Sequence, residues 1–256
     1  RKTMKTRKVY LLKDEAFTAA QTKTVDINVR DPISSIDIIV RMTNGAAMTE
    51  ASVVKPHDEF TKIEIIDGSD VIVSASMKEL QSLNVAELGT LPSMELTLET
   101  SAVQCEQCSI HFGKEKNDPE HYLEPGNFKN LQMKITNTFT TAAATSWAAT
   151  GHAISVVANI IEEGAQPSRG FLMTKEIYAH TAVDGGIETI DLPRDFPYRL
   201  IMIEAFKTSN SPLLTIEKIK LSCDADKYVP YDIDSRDLIL ENRAMLRILT
   251  QTLKKR

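Results

Sequence analysis

A chain of 256 residues, 42% hydrophobic and 25% charged, has room for one large domain or two of ordinary size and enough apolar mass to bury a core. No run of eighteen apolar residues reads as a membrane-spanning helix, no apolar signal core opens the chain, and three cysteines with no even pairing argue against a disulfide framework and for a reducing compartment. The net charge of −5 is uneven: Arg1, Lys2, Lys5, Arg7, Lys8 and Lys13 precede the first acid, Asp14, so this end carries +6 and the remainder −11. Such a basic arm suits contact with phosphate, on nucleic acid or on lipid headgroups, and a solvated, frayed terminus is the plain alternative.

Short strands follow in order. Residues 24–29 come first, then 35–42, where Ile36, Ile38, Val40 and Met42 share one face. Residues 60–66 and 70–74 flank the turn Asp67-Gly68. Residues 78–88 have good helix propensity and leucines that do not alternate, which predicts one helix. Residues 94–100 set Met94, Leu96 and Leu98 against Glu95, Thr97 and Glu99. Residues 103–112, 131–136 (Leu131, Met133, Ile135) and 153–161 (Ile154, Val156, Ala158, Ile160) complete eight strands before Gly164. Period-two alternation marks half-buried antiparallel strands, and eight of them fit a jelly roll of two facing four-stranded sheets. Two longer connections stand out, 46–59 and 138–151. The second is built of small residues around Trp147, the only Trp, and reads either as a contact loop or as a loop capped by a buried indole.

The chain then repeats itself. Arg236-Asp237-Leu238 and the later Asn242, Ala244 and Leu246 match Lys78-Glu79-Leu80, Asn84, Ala86 and Leu88 at identical spacing. Residues 169–176 answer 7–14 in their pattern of basic, apolar and acidic positions, and Ile190-Asp191-Leu192 with Arg194-Asp195 answers Val25-Asp26-Ile27 with Arg30-Asp31. The order is the same in both halves, as in a tandem duplication. The expected organisation is a basic arm at 1–6, a first jelly roll at 7–163, a polar linker at 164–168 and a second, partial roll at 169–256. Within the second copy, strands are expected at 171–179, 187–192, 198–207, 214–222 and 228–231, before the helical echo. Only ten residues follow Leu246, so the second unit reads as unfinished, and Lys254-Lys255-Arg256 as a truncation point.

Candidate chemistry is sparse. Cys105 and Cys108, with His111 and His121 downstream, are the one arrangement resembling a zinc site. Residues three apart on a strand point to opposite faces, and no Gly between the cysteines makes a knuckle, so buried or ordinary thiols are the better reading. His57, His152 and His180 stand alone. Asp224, Asp226, Asp232 and Asp234 suit a Ca²⁺ loop but read better as solvated turn residues. Nucleophile-elbow, zinc-protease and phosphate-loop motifs are absent, so no catalytic residue, cofactor or metal is expected.

Two tandem jelly rolls, a basic amino-terminal arm and no catalytic constellation resemble the double jelly-roll major capsid proteins of tailless icosahedral viruses with an internal membrane, of corticovirus or tectivirus type. Residues 187–194 followed by Tyr198-Arg199-Leu200 resemble the start of the second roll in that family, and Asp67-Gly68 with the helix after it, and Phe128-Lys129-Asn130-Leu131-Gln132, are also similar. The resemblance implies an all-β coat protein of a bacteriophage-like virion, not an enzyme. It would form homotrimers of pseudo-hexagonal outline, assembled in the host cytoplasm into an icosahedral lattice, with penton and minor capsid proteins as further partners. It also implies that Arg1, Lys2, Lys5, Arg7 and Lys8 face anionic lipid of the internal membrane, with no sequence-specific nucleic acid. The alternative reading is a carbohydrate-binding or receptor-binding jelly-roll module, which an aromatic content of 6% disfavours.

Overall fold

The computed structural model describes residues 4–45, 55–89, 93–140, 147–181, 185–205 and 215–245, with the backbone alone described for 243–245. Arg1, Lys2, most of the 46–59 connection, residues 141–146 of the small-residue loop, residues 206–214 and Lys254-Lys255-Arg256 lie outside the described residues. The chain divides into two compact units, Arg1–Asp191 and Leu192–Arg256.

In the first unit the strands are β1 (Lys5–Phe17), β2 (Gln21–Asp26), β3 (Ile33–Thr43), β4 (Lys62–Asp67), β5 (Asp70–Ala75), β6 (Met94–Glu95), β7 (Val103–His111), β8 (Leu131–Asn137), β9 (His152–Glu163) and β10 (Thr174–Lys175). One sheet runs β1-β9-β3-β7-β6 and the other β10-β5-β4-β8-β2. With the two-residue β6 and β10 set aside, this is the jelly-roll order: consecutive strands alternate between sheets except for the β4–β5 hairpin, and the late strands β8 and β9 insert between early ones. The core is the predicted one. Ile36, Ile38, Val40, Met42, Ile154, Val156, Ala158 and Ile160 are fully buried and meet Ile63, Ile65, Val73, Met133 and Ile135 of the opposite sheet.

Two expectations about the strands fail. Residues 94–100 alternate, yet only Met94 and Glu95 join the ladder, opposite Glu106 and Cys105, and Met94, Leu96 and Leu98 are about 40% exposed. The chain leaves the sheet because the Asn44 side-chain amide takes the Thr97 and Glu99 carbonyls, both at 2.9 Å. The missing strand is β1, which pairs with β9 from Lys5↔Glu163 to Phe17↔His152. It is an edge strand interrupted by bulges near Tyr10 and Asp14. Asp14 sits at φ 48, and such kinks protect a free edge from pairing with other chains.

Helix α1 (Pro56–Glu59) and helix α2 (Met77–Leu88) cross one end of the roll. Ser76 and Glu79 form a reciprocal capping box, and Gly89 closes α2 in the left-handed conformation at φ 65. The stretch 164–168, expected as a linker, lies inside the first unit and is tied to it. Gln166 N–H donates to the Pro119 carbonyl at 2.8 Å, and the Tyr122 hydroxyl donates to the Gln166 carbonyl at 2.7 Å. Arg169, Leu172 and Glu176 continue the seam, and Phe171 packs edge-on against Phe112 and Phe128.

The second unit contains one sheet among its described residues, the hairpin of β11 (Lys218–Cys223) and β12 (Tyr228–Asp234), followed by α3 (Ser235–Met245). Residues 171–179 contribute only β10, paired parallel to β5, and 187–192 and 198–205 form no ladder. In the first roll β1 and β3 pair with β9, β3 also pairs with β7, and β2 and β4 pair with β8, all strands that come after α2. Among the described strands that precede α2, β4 and β5 pair with each other.

Candidate functional site

Lys5, Arg7 and Lys8 sit on β1 and not on a loose arm. Lys5 lies 3.6 Å from both Glu162 and Glu163, and Arg7 bonds Asp31 at 2.7 Å and Glu162 at 2.9 Å. Lys8 reaches to within 3.8 Å of Asp37. These three cations therefore face acids of β9, β3 and the turn before β3. Arg1 and Lys2, the other two, are outside the described residues. Asp37 is buried on the outer face of its sheet and also accepts from the Ser109 hydroxyl and the Asn159 amide.

Polar side chains from α1 and α2 organise the β7 edge. Glu106 is fully buried, and its Oε2 accepts from the His57 N–H at 3.0 Å, from His57 Nδ1 at 2.9 Å and from the Gln81 amide at 3.3 Å. Gln81 also donates to the Gln107 carbonyl. Asn84 takes both backbone groups of Ser109: its Nδ2 donates to the carbonyl at 2.7 Å and its Oδ1 accepts from the N–H at 2.8 Å. Farther along, Glu87 stands 3.3 Å from His111 Nδ1. Helix α2 thus occupies, through side chains, the place of a further strand and closes an edge that would otherwise carry unpaired peptide groups. Asn84→Ala leaves both Ser109 groups unpaired, and we expect a loss of about 2 kcal/mol in chemical denaturation of the first unit. A shallow cleft of about 200 Å³ beside α2 is lined by His57, Lys78, Gln81, Ser82, Val85 and Met94.

The other organised cluster is the roof over the same end. Trp147 is buried, and its indole N–H donates to Glu59 Oε1 at 2.9 Å. The indole is buried, as the indole-capped reading of the 138–151 loop expects, while residues 141–146 lie outside the described residues. Burial raises the Glu59 carboxyl above its ordinary value, against the pull of the indole N–H, and the neighbouring Asp58 adds to the rise. His152 accepts from the Thr43 N–H on Nδ1 at 3.2 Å and donates from Nε2 to the Ala148 carbonyl at 2.8 Å, which fixes its neutral tautomer. Burial holds this imidazole below its usual value. Phe17, Phe139 and Trp147 surround its ring.

The remaining candidates are scattered. Cys105 is half-buried on one face of β7 and Cys108 fully buried on the other, where burial pushes its thiol far up; both are reduced, as is Cys223. His121 stands 3.2 Å from Asp118 and His180 3.3 Å from Glu188. Asp226 and Asp232 pair with Lys220 and Lys218, each at 2.7 Å. Among the described residues no three metal-ligating side chains converge, and no helix is long and apolar enough to cross a membrane. The His57–Glu106 pair has carboxylate and imidazole but directs Nε2 toward Asp58, at 3.6 Å, so what it does here is tie α1 to β7.

The chain is similar to two solved structures, at the level of fold. Against the STIV MCP, a crystal structure, identity is 14% and the TM-score 0.46, covering 62% of this chain and 48% of that one. Against the PBCV-1 virus capsid, a quasi-atomic model, identity is 13% and the TM-score 0.44, covering 62% of this chain and 42% of that one. The strand order of the first unit is by itself that of a jelly roll. The chain spans less than half the length of either. No protein-family model matches the chain, and no curated protein does.

Proposed function

We propose that this chain is a shell-building subunit, a double jelly-roll major capsid protein whose work is packing against copies of itself. The observation that carries the reading is a repeated local tie. In the first roll the Met77 N–H, at the start of α2, donates to the Phe60 carbonyl just before β4, at 3.0 Å. In the second unit the Ser235 N–H, at the start of α3, donates to the Glu217 carbonyl just before β11, at 2.9 Å. Hairpin, helix and closing bond recur together, which supports a duplicated roll rather than an unrelated appendage. A duplicated wedge in a threefold ring gives six near-equivalent walls, so one tile meets its neighbours in many lattice positions.

On this reading the trimer is the unit of an icosahedral shell in the virion, with penton and minor capsid proteins as neighbours. The contact with an internal membrane falls chiefly to Arg1 and Lys2, because Lys5, Arg7 and Lys8 already face acids. The protein is not an enzyme. Light scattering on the size-fractionated chain is expected to give three times the mass of one chain. A monomer at every concentration that is retained on glycan resin would replace the shell role with the carbohydrate-binding one.

A further inference from the structure

On the outer face of the sheet β1-β9-β3-β7-β6, Lys8 of β1 stands directly opposite Asn159 of β9, in a regular part of the ladder. Their side chains therefore leave the same face, with Cβ atoms about 5 Å apart. On the far side of β9, Ser35 of β3 is the partner of Asn159, and Asp37 lies two residues along. Asp37 and Asn159 are both 4% exposed. Asp37 Oδ2 accepts from Asn159 Nδ2 at 2.9 Å and lies 3.8 Å from Lys8 Nζ, so one oxygen faces an amine nitrogen and a carboxamide nitrogen together. Both buried groups are held in place: Nδ2 also donates to Ser35 Oγ at 2.9 Å, and Asp37 Oδ1 accepts from Ser109 Oγ at 2.7 Å. The pairs of Lys23 with Glu15, Lys218 with Asp232 and Lys220 with Asp226 lack a carboxamide at the acid.

We propose that Lys8 and Asn159 become joined by an amide cross-link between their side chains, formed by the folded chain on itself with Asp37 as the proton carrier. An amine, a carboxamide carbon and a shared carboxylate are the parts that exchange of one amide for another requires. Asp37 Oδ2 takes a proton from the Lys8 ammonium, and the freed lone pair forms the Nζ–Cγ bond to Asn159. The same oxygen then passes protons from Nζ to Nδ2 as the Cγ–Nδ2 bond breaks, so that ammonium leaves and the carboxylate returns to its starting state. One ammonium is consumed and one released, and nothing is oxidised or reduced. Attack needs Nζ at roughly 3–3.5 Å from Cγ. The Lys8 side chain is 67% exposed, so rotation about its own bonds brings Nζ there without a shift of the backbone. The product fixes the bulged edge strand β1 to β9 with a bond that denaturant does not break.

The test is intact-mass spectrometry of the full, folded chain, followed over days after purification. The mass is expected to fall by that of one ammonia, and tryptic digestion to yield the Lys8 and Asn159 peptides as one branched species. Lys8→Arg keeps a cation beside Asp37 but cannot undergo the exchange, so this variant should retain its full mass. Asp37→Asn removes the proton carrier and should slow the loss at least roughly a hundredfold. If Asp37→Asn fails to fold, Lys8→Arg decides alone, because its side chain is exposed. An undiminished mass in the parent chain overturns the proposal. So does a loss of ammonia that persists in Lys8→Arg or maps to another asparagine, such as Asn44 before Gly45, where ring closure on the backbone also expels ammonia.

Discussion

Trp147→Ala is expected to destabilise the first unit by about 3–5 kcal/mol, the range for deleting a large buried aromatic side chain. For a unit of this size that corresponds to a fall of roughly 10 °C in melting temperature, measured by calorimetry. The indole fills the roof beside His152 and donates the hydrogen bond that makes a buried carboxylate tolerable at Glu59. Trp147→Phe separates these contributions, since it keeps most of the volume and removes the donor. Glu59 is already raised by burial, and losing the indole N–H raises it further. A carboxyl raised on folding gives stability that is complete below its unfolded value, near 4.5, and lost as pH climbs through the folded one. The deficit of Trp147→Phe should therefore be clear at pH 7 and shrink as pH falls toward 4.5. A deficit independent of pH would mean that the bond to Glu59 contributes nothing.

Asp118→Ala is the second large effect, about 2–4 kcal/mol, because one carboxylate satisfies three backbone donors. Its Oδ1 accepts from Glu120 N–H at 2.9 Å and His121 N–H at 3.2 Å, and its Oδ2 from Lys114 N–H at 3.0 Å. Burial works to raise this carboxyl, but the three N–H groups together outweigh it and hold the group below its ordinary value. The sign is opposite to that of Glu59: the stabilisation is present above the unfolded value of 3.8 and fades as pH drops through the depressed one. Asp118→Asn keeps a neutral acceptor, so it should lose less and flatten the acid limb of the stability curve. The same turn holds the Glu120 carbonyl that accepts from Arg169 N–H, and Tyr122, whose hydroxyl donates to the Gln166 carbonyl and whose N–H donates to the Gly170 carbonyl. Limited proteolysis of Asp118→Ala should accordingly cut within residues 164–176 faster than in the parent chain. Unchanged cleavage there would separate the turn from the segment that pairs with β5.

Alternation in the sequence located the buried faces of β3, β8 and β9 residue by residue, because those strands are central and one face is sealed by the opposite sheet. It could not say which strand pairs with which. Residues 94–100 alternate as well as any, and lose their ladder to a single side chain, Asn44. Strand β1 escaped notice for the converse reason: as a bulged edge it exposes residues of both faces, and its charges resemble a solvated arm. The roles of Gln81, Asn84 and Glu106 were equally hidden, since a polar residue on a helix or strand reads as surface until the structure places a backbone edge beside it. The strands expected at 214–222 and 228–231 form the hairpin of β11 and β12 and the repeated segment after them is helical, whereas 187–192 and 198–205 join no ladder.

Pairing Lys5 with Glu163 also has a temporal side. A ribosome making this chain exposes β1, β2 and β3 long before the strand that joins β1 to β3 has left the exit tunnel. At ordinary elongation rates the wait is on the order of ten seconds. During that interval Ile36, Ile38 and Val40 have only β7 to pair with, and the wall between β1 and β3 is zipped shut when residues 152–163 arrive.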